Sequence, residues 1–101
     1  MATAFFDRVW KLLSKIPKGK VTTYGEIARA LKKQGAARAV GNACNANPFA
    51  SSVPCHRVVG ANGLLGGFAL GKKAKIRLLE KEDILVKNGR IVDFKVKFWR
   101  F

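Results

Sequence analysis

Acidic residues are scarce in this 101-residue chain: 6 Asp and Glu against 20 Lys and Arg leave a net charge of +14. That deficit points to a polyanionic partner, nucleic acid first and an anionic membrane surface second. Cysteine is scarce too. Cys44 and Cys55 alone cannot build a disulfide scaffold, and they suit a reducing compartment. With a single histidine beside them and no closed ligand spacing, they also cannot supply a usual structural zinc site, so neither metal nor cofactor is expected. No apolar run approaches the ~20 residues that cross a bilayer. The opening Met1-Ala-Thr-Ala-Phe-Phe-Asp lacks the basic-then-apolar layout of a secretory signal, so the expectation is a cytoplasmic protein, nucleoid-associated or nuclear. What is present is a foldable mixture, 49% hydrophobic and 26% charged, which excludes disorder. The length suits one domain, and with no repeat or linker, residues 1–101 read as a single unit, expected to be monomeric.

The pattern is mostly α with short strands. Phe5, Val9, Leu12 and Ile16 recur at helical spacing and predict a helix from Thr3 to Ile16, stopped by Pro17-Lys18-Gly19. Thr23 and Glu26 have the form of a capping box opening a helix to about Lys33. After Gln34-Gly35 a third helix is predicted from Ala36 to Ala46, with Ala37, Val40 and Cys44 on one face and Arg38, Asn42 and Asn45 on the other. Two short helices across a tight turn make a helix-turn-helix candidate. Its second helix, rich in Ala and Gly, would enter a groove of DNA. Beyond it, Val58-Val59 reads as a strand, Asn62-Gly63 as a hairpin turn, and Gly71 to Glu82 as a basic helix burying Ala74, Leu78 and Leu79. Ile84–Val86 and Ile91-Val92 read as strands around Asn88-Gly89. Phe94, Val96 and Phe98, alternating with Lys95 and Lys97, suggest a further strand.

One stretch carries chemistry. Pro54-Cys55-His56-Arg57-Val58 joins the only histidine to one of the two cysteines, a nucleophile and a base. Neighbours on an extended chain point to opposite sides, so contact would need a turn or a water. A structural cysteine beside an unrelated histidine is the plain alternative.

Those five residues resemble the active-site signature of the O6-alkylguanine-DNA alkyltransferases, which take an alkyl group from damaged guanine onto a cysteine. The resemblance runs from about Phe5 to Asp83 and includes Tyr24, Ala37-Arg38-Ala39-Val40-Gly41, Ala46-Asn47-Pro48, the Gly-rich loop and Leu78-Leu79. It implies the family's C-terminal domain, winged helix-turn-helix-like, without the N-terminal domain of longer members. It further implies Cys55 as alkyl acceptor, His56 as its base through a water, and Glu82 as the carboxylate orienting His56, with Glu80 the competitor. Asn47 would brace the active-site turn, and Tyr24 would give a proton to the departing guanine. Arg38 would fill the stack vacated by the flipped nucleotide, with Asn42, Asn45 and Thr23 also on the DNA, which would be duplex carrying O6-alkylguanine. Val58, Phe68 and Ala69 would line the base pocket. Phe68 and Ala69 stand where relatives often have Tyr and Ser, which removes a hydroxyl from that wall. Two other classes remain open: an alkyltransferase-like protein that binds the lesion without repairing it, and a plain winged-helix regulator. The former typically lacks the acceptor cysteine; the latter needs neither Cys55-His56 nor Glu82.

Overall fold

A computed structural model describes residues 2–47, 52–68 and 70–101. The first helix, α1 (Ala2–Leu13), puts Val9 and Leu13 fully into the core. It ends one turn before the predicted Ile16. Lys15 and Ile16 donate instead to Leu12 and Leu13 in a tightened last turn, and Ile16 stays buried. The Trp10 indole N–H donates to the Ala43 carbonyl at 2.8 Å and so fixes α1 against the third helix.

A two-residue strand, β1 (Thr22–Thr23), runs straight into α2 (Tyr24–Ala30). Thr23 caps α2 as predicted, its hydroxyl accepting from the Glu26 N–H at 3.0 Å. The Glu26 carboxylate accepts from Arg29 and the Phe101 N–H rather than from the Thr23 amide, so the box is half formed. Lys32, at φ 58°, ends the helix short of the predicted Lys33. α3 (Ala37–Asn45) follows the turn and buries Val40, Ala43 and Cys44 against Ile27 and Ala28 of α2.

The chain then returns to β2 (Val58–Val59), which pairs in parallel with β1, Thr22 opposite Val58. The parallel register sets the residues just before β2 beside those just before β1, not beside α2. The basic helix α4 (Lys72–Glu80) buries Leu79, leaves Ala74 and Leu78 half-buried, and buries Lys75 completely, which the pattern did not anticipate. β3 (Val86–Lys87) and β4 (Arg90–Ile91) form the expected hairpin, with Asn88 and Gly89 both at positive φ.

Two sequence expectations fail here. Asn62-Gly63 turns the chain, but the flanking residues form no hairpin: Val58-Val59 pairs with β1, and Leu64 bridges to Arg90. Residues Phe94–Lys97 form a helical turn, α5, rather than a strand. Asp93 enters it at φ 56° and lays Phe94 over Gly63, where a Cβ would stand 2.9 Å from the Phe94 ring. Val96 is left exposed there, so the alternation is not used, and only Phe98 joins a bridge, in parallel with Val21.

Candidate active site and nucleic-acid interface

Cys55 opens a 3-10 turn, Cys55–Arg57, directly after Pro54 and before β2. The turn is pinned from outside: Asn47 donates its side-chain N–H to the Val53 carbonyl at 3.0 Å, while the Cys55 N–H donates to the same oxygen at 2.9 Å. Because the backbone coils here, Cys55 and His56 are not on the opposite sides of an extended strand. Both are buried, Cys55 in the core cluster shared by α1, α2 and α3.

His56 Nε2 lies 2.8 Å from Glu82 Oε2. Of the two candidate carboxylates it is therefore Glu82 that meets the histidine; Glu80 is exposed on α4. The Nδ1 atom is buried and has no hydrogen-bond partner among the described residues. With Glu82 accepting the Nε2 proton, the lone pair of the neutral ring falls on Nδ1. Glu82 also accepts from the Gly19 N–H at 3.2 Å and from Arg57, which belongs to the Pro54–Val58 signature but to which the sequence assigns no role. Burial opposes ionisation of Glu82, but the bonds from Arg57, His56 and Gly19 outweigh it and hold the carboxyl at about pKa 2. Burial also lowers the His56 pKa, aided by the positive charges of Arg57 and Lys75 and opposed by Glu82.

Lys75 is the other residue that sequence reading missed. Its ammonium donates to the carbonyls of Val58 (2.6 Å), Leu65 (2.7 Å) and Gly67 (3.0 Å), tying β2 to the Gly-rich loop, and lies 6.0 Å from the centre of the Tyr24 ring. Burial pulls its pKa down to about 8. A signal existed: Lys75 precedes the buried Leu79 by four residues, on the face where a helix carries apolar side chains.

On the exposed side, Tyr24, Arg38, Asn42, Asn45, Gly41 and Gly67 surround a cleft of about 400 Å³. Tyr24 is half-buried at the first turn of α2, and burial pushes its phenol up to about 12. Gly66, at φ +75°, lies so close that a Cβ would approach the Tyr24 hydroxyl to 3.2 Å. Arg38, Asn42 and Asn45 are exposed on one face of α3, as their spacing predicts. Thr23 serves α2 as its cap. Val58 is fully buried with its carbonyl on Lys75, and Phe68 packs half-buried against the core. Ala69, the third residue expected in the pocket wall, and Pro48 lie outside the described residues. Among the described residues no cluster of His, Cys, Asp or Glu could hold a metal, and no helix is long and apolar enough to cross a membrane.

The family described as 6-O-methylguanine DNA methyltransferase, DNA binding domain, matches residues 4–84. The chain belongs to this family. Methylated-DNA--protein-cysteine methyltransferases are among the similar proteins of this methyltransferase family. The one from Methanosarcina mazei is 53% identical over 81 residues, 80% of this chain and 51% of that protein. The one from Mycobacterium leprae is 52% identical over 80 residues, 79% of this chain and 48% of that protein. The chain thus spans about half the length of these curated relatives. Among solved structures, Mycobacterium tuberculosis OGT in complex with DNA overlays 77% of this chain and 48% of its own at TM-score 0.75 and 54% identity. S. pombe Atl1 in complex with damaged DNA containing O6-carboxymethylguanine overlays 98% of this chain and 97% of its own at TM-score 0.87, with 30% identity. The expected fold class, mostly helical with short strands and a DNA-binding helix pair, is that of these structures.

Proposed function

We propose that this methyltransferase-family chain repairs DNA by direct reversal, moving the alkyl group of O6-alkylguanine in duplex DNA onto Cys55. The observation that carries the reading is the buried His56–Glu82 hydrogen bond adjoining Cys55, which leaves one imidazole nitrogen free to take a proton. Guanine O6 is inaccessible inside a duplex, so the nucleotide must rotate out, at a cost on the order of a few kcal/mol. Arg38 fills the vacated stack, with Asn42, Asn45 and Thr23 on the DNA beside it. The base enters a pocket walled by Val58 and Phe68. His56 accepts the Cys55 proton through a water, and Glu82 stabilises the imidazolium that results. The thiolate forms the S–C bond as the C–O6 bond breaks. Tyr24 donates its proton to the guanine, which departs neutral. The thioether is not hydrolysed under ordinary conditions, so each molecule, acting as a monomer, reacts once. No cofactor enters these steps.

A second reading has an observation of its own. The Atl1 structure that this chain overlays at TM-score 0.87 holds damaged DNA, in keeping with a chain that binds the lesion without repair. The presence of Cys55 beside His56 favours transfer. The intact mass of the protein after incubation with O6-methylguanine duplex decides: one added methyl group supports transfer, and tight binding with unchanged mass supports the second reading.

Two further outcomes are expected. Binding to duplex DNA should be largely independent of sequence and weaken steeply between low and physiological salt, because neutralising phosphates with a +14 chain releases counterions. A flat titration would contradict this use of the charge. Arg38→Ala should slow repair of a fully paired lesion far more than transfer from free O6-benzylguanine, where nothing is flipped, and a mismatched lesion should fall between. Arg38→Lys should rescue only in part, because a guanidinium stacks on bases and an ammonium does not. An equal duplex-to-free-base rate ratio in wild type and Arg38→Ala would make Arg38 a phosphate clamp.

A further inference from the structure

Arg57 belongs to the same turn as Cys55 and His56, yet alkyl transfer as described gives it nothing to do. Its guanidinium is nearly buried and makes a side-on fork with Glu82: Nε to Oε1 at 2.9 Å and Nη2 to Oε2 at 2.8 Å. The third nitrogen, Nη1, donates to the Ile16 carbonyl at 2.8 Å, anchoring the fork to the chain leaving α1. Glu82 Oε2 is thus shared, 2.8 Å from His56 Nε2 and 2.8 Å from Arg57 Nη2.

Sharing has a chemical consequence. A lone carboxylate beside an imidazole favours the imidazolium, which has no lone pair to offer a thiol. A guanidinium, always charged, neutralises the carboxylate without taking it away. Lys75 acts in the same sense, repelling the proton from the β2 side, against the pull of Glu82; Lys18 and Lys81 line the cleft of about 360 Å³ that His56, Arg57 and Glu82 share. We infer that Arg57 is a positioning residue of the alkyl-transfer site, locking Glu82 against His56 while keeping the imidazole neutral and able to accept the Cys55 proton. The inference rests on His56 being the base.

His56 is the only histidine, so its ring resonances can be followed through a pH titration without assignment ambiguity. The comparison is between wild type, Arg57→Lys and Arg57→Gln, each first shown to melt cooperatively. The titration midpoint should rise in the order wild type, Arg57→Lys, Arg57→Gln, because Lys keeps the charge without the fork and Gln keeps neither. The acid limb of the pH profile for transfer from free O6-benzylguanine should move the same way. At its foot, Arg57→Gln should fall roughly tenfold more than at the plateau, as a one-unit displacement requires. Unchanged midpoints with a uniformly lower rate would overturn the inference and leave Arg57 a tie between α1 and the turn. If Arg57→Gln does not fold, Arg57→Lys carries the same decision, since a midpoint equal to wild type overturns it. Absence of alkyl transfer in wild type would sink the proposed function instead, while the resonance midpoints would still read the coupling of Arg57 to His56.

Discussion

Cys55→Ser should gain no methyl mass from an O6-methylguanine duplex under conditions in which the wild-type protein gains one methyl group. Serine is close in size, so the 3-10 turn and the core around it should be retained, and an unchanged far-ultraviolet spectrum would verify this. A hydroxyl ionises far less readily than a thiol and is a much weaker nucleophile toward an alkyl carbon. The loss should be complete rather than partial, because the second cysteine cannot substitute. Cys44 faces the core from α3, and burial pushes its thiol up to about 12, so at neutral pH it is a protonated, enclosed sulfur. Methyl mass located on Cys44 by peptide mapping would reverse the assignment.

His56→Ala and Glu82→Gln should each slow transfer by ~10²–10⁴-fold, the usual contribution of a placed general base. Affinity for undamaged duplex should barely change. Neither residue is exposed, so neither offers a phosphate a direct contact. The two variants should differ in stability. Removing the carboxylate leaves Arg57 without its ionic partner, which costs ~3 kcal/mol when such a pair is buried, so Glu82→Gln should melt lower than His56→Ala. Glu80→Gln, on an exposed stretch of α4, should be unaffected in both rate and melting. A slow Glu80→Gln beside a normal Glu82→Gln would contradict the 2.8 Å contact. The pH dependence has one sign. Glu82 is held at about 2 against an ordinary 4.5, so its contribution to stability is present above that ordinary value and is lost as pH falls toward 2. His56, whose pKa burial depresses, disfavours the folded state once acid forces a proton onto it. Stability and transfer should therefore both decline on acidification, and a stability maximum at low pH would contradict the buried relay.

The sequence by itself determined what depends on neighbours along the chain. Helical spacing placed α1 to α4, a Thr hydroxyl three residues before an amide marked the start of α2, and Asn88-Gly89 marked the hairpin between β3 and β4. Arg38, Asn42 and Asn45 share a face because 3.6 residues make a turn, and the Pro54 to Val58 run carried the family. Only the tertiary structure decided the rest. Period-two alternation in Phe94–Phe98 describes a strand, yet the fold makes a helical turn there that lays Phe94 over Gly63. The parallel pairing of Thr22 with Val58 closes over α2 and α3, and no local signal announces it. Glu82 meets His56 and Arg57 across 26 and 25 residues, and Lys75 reaches carbonyls 17, 10 and 8 residues away. Helical spacing puts Lys75 on the same face as Leu79, but spacing alone does not say that a lysine there is buried. It is acceptable in the core only because three backbone oxygens, brought together by the fold, replace the water that it loses.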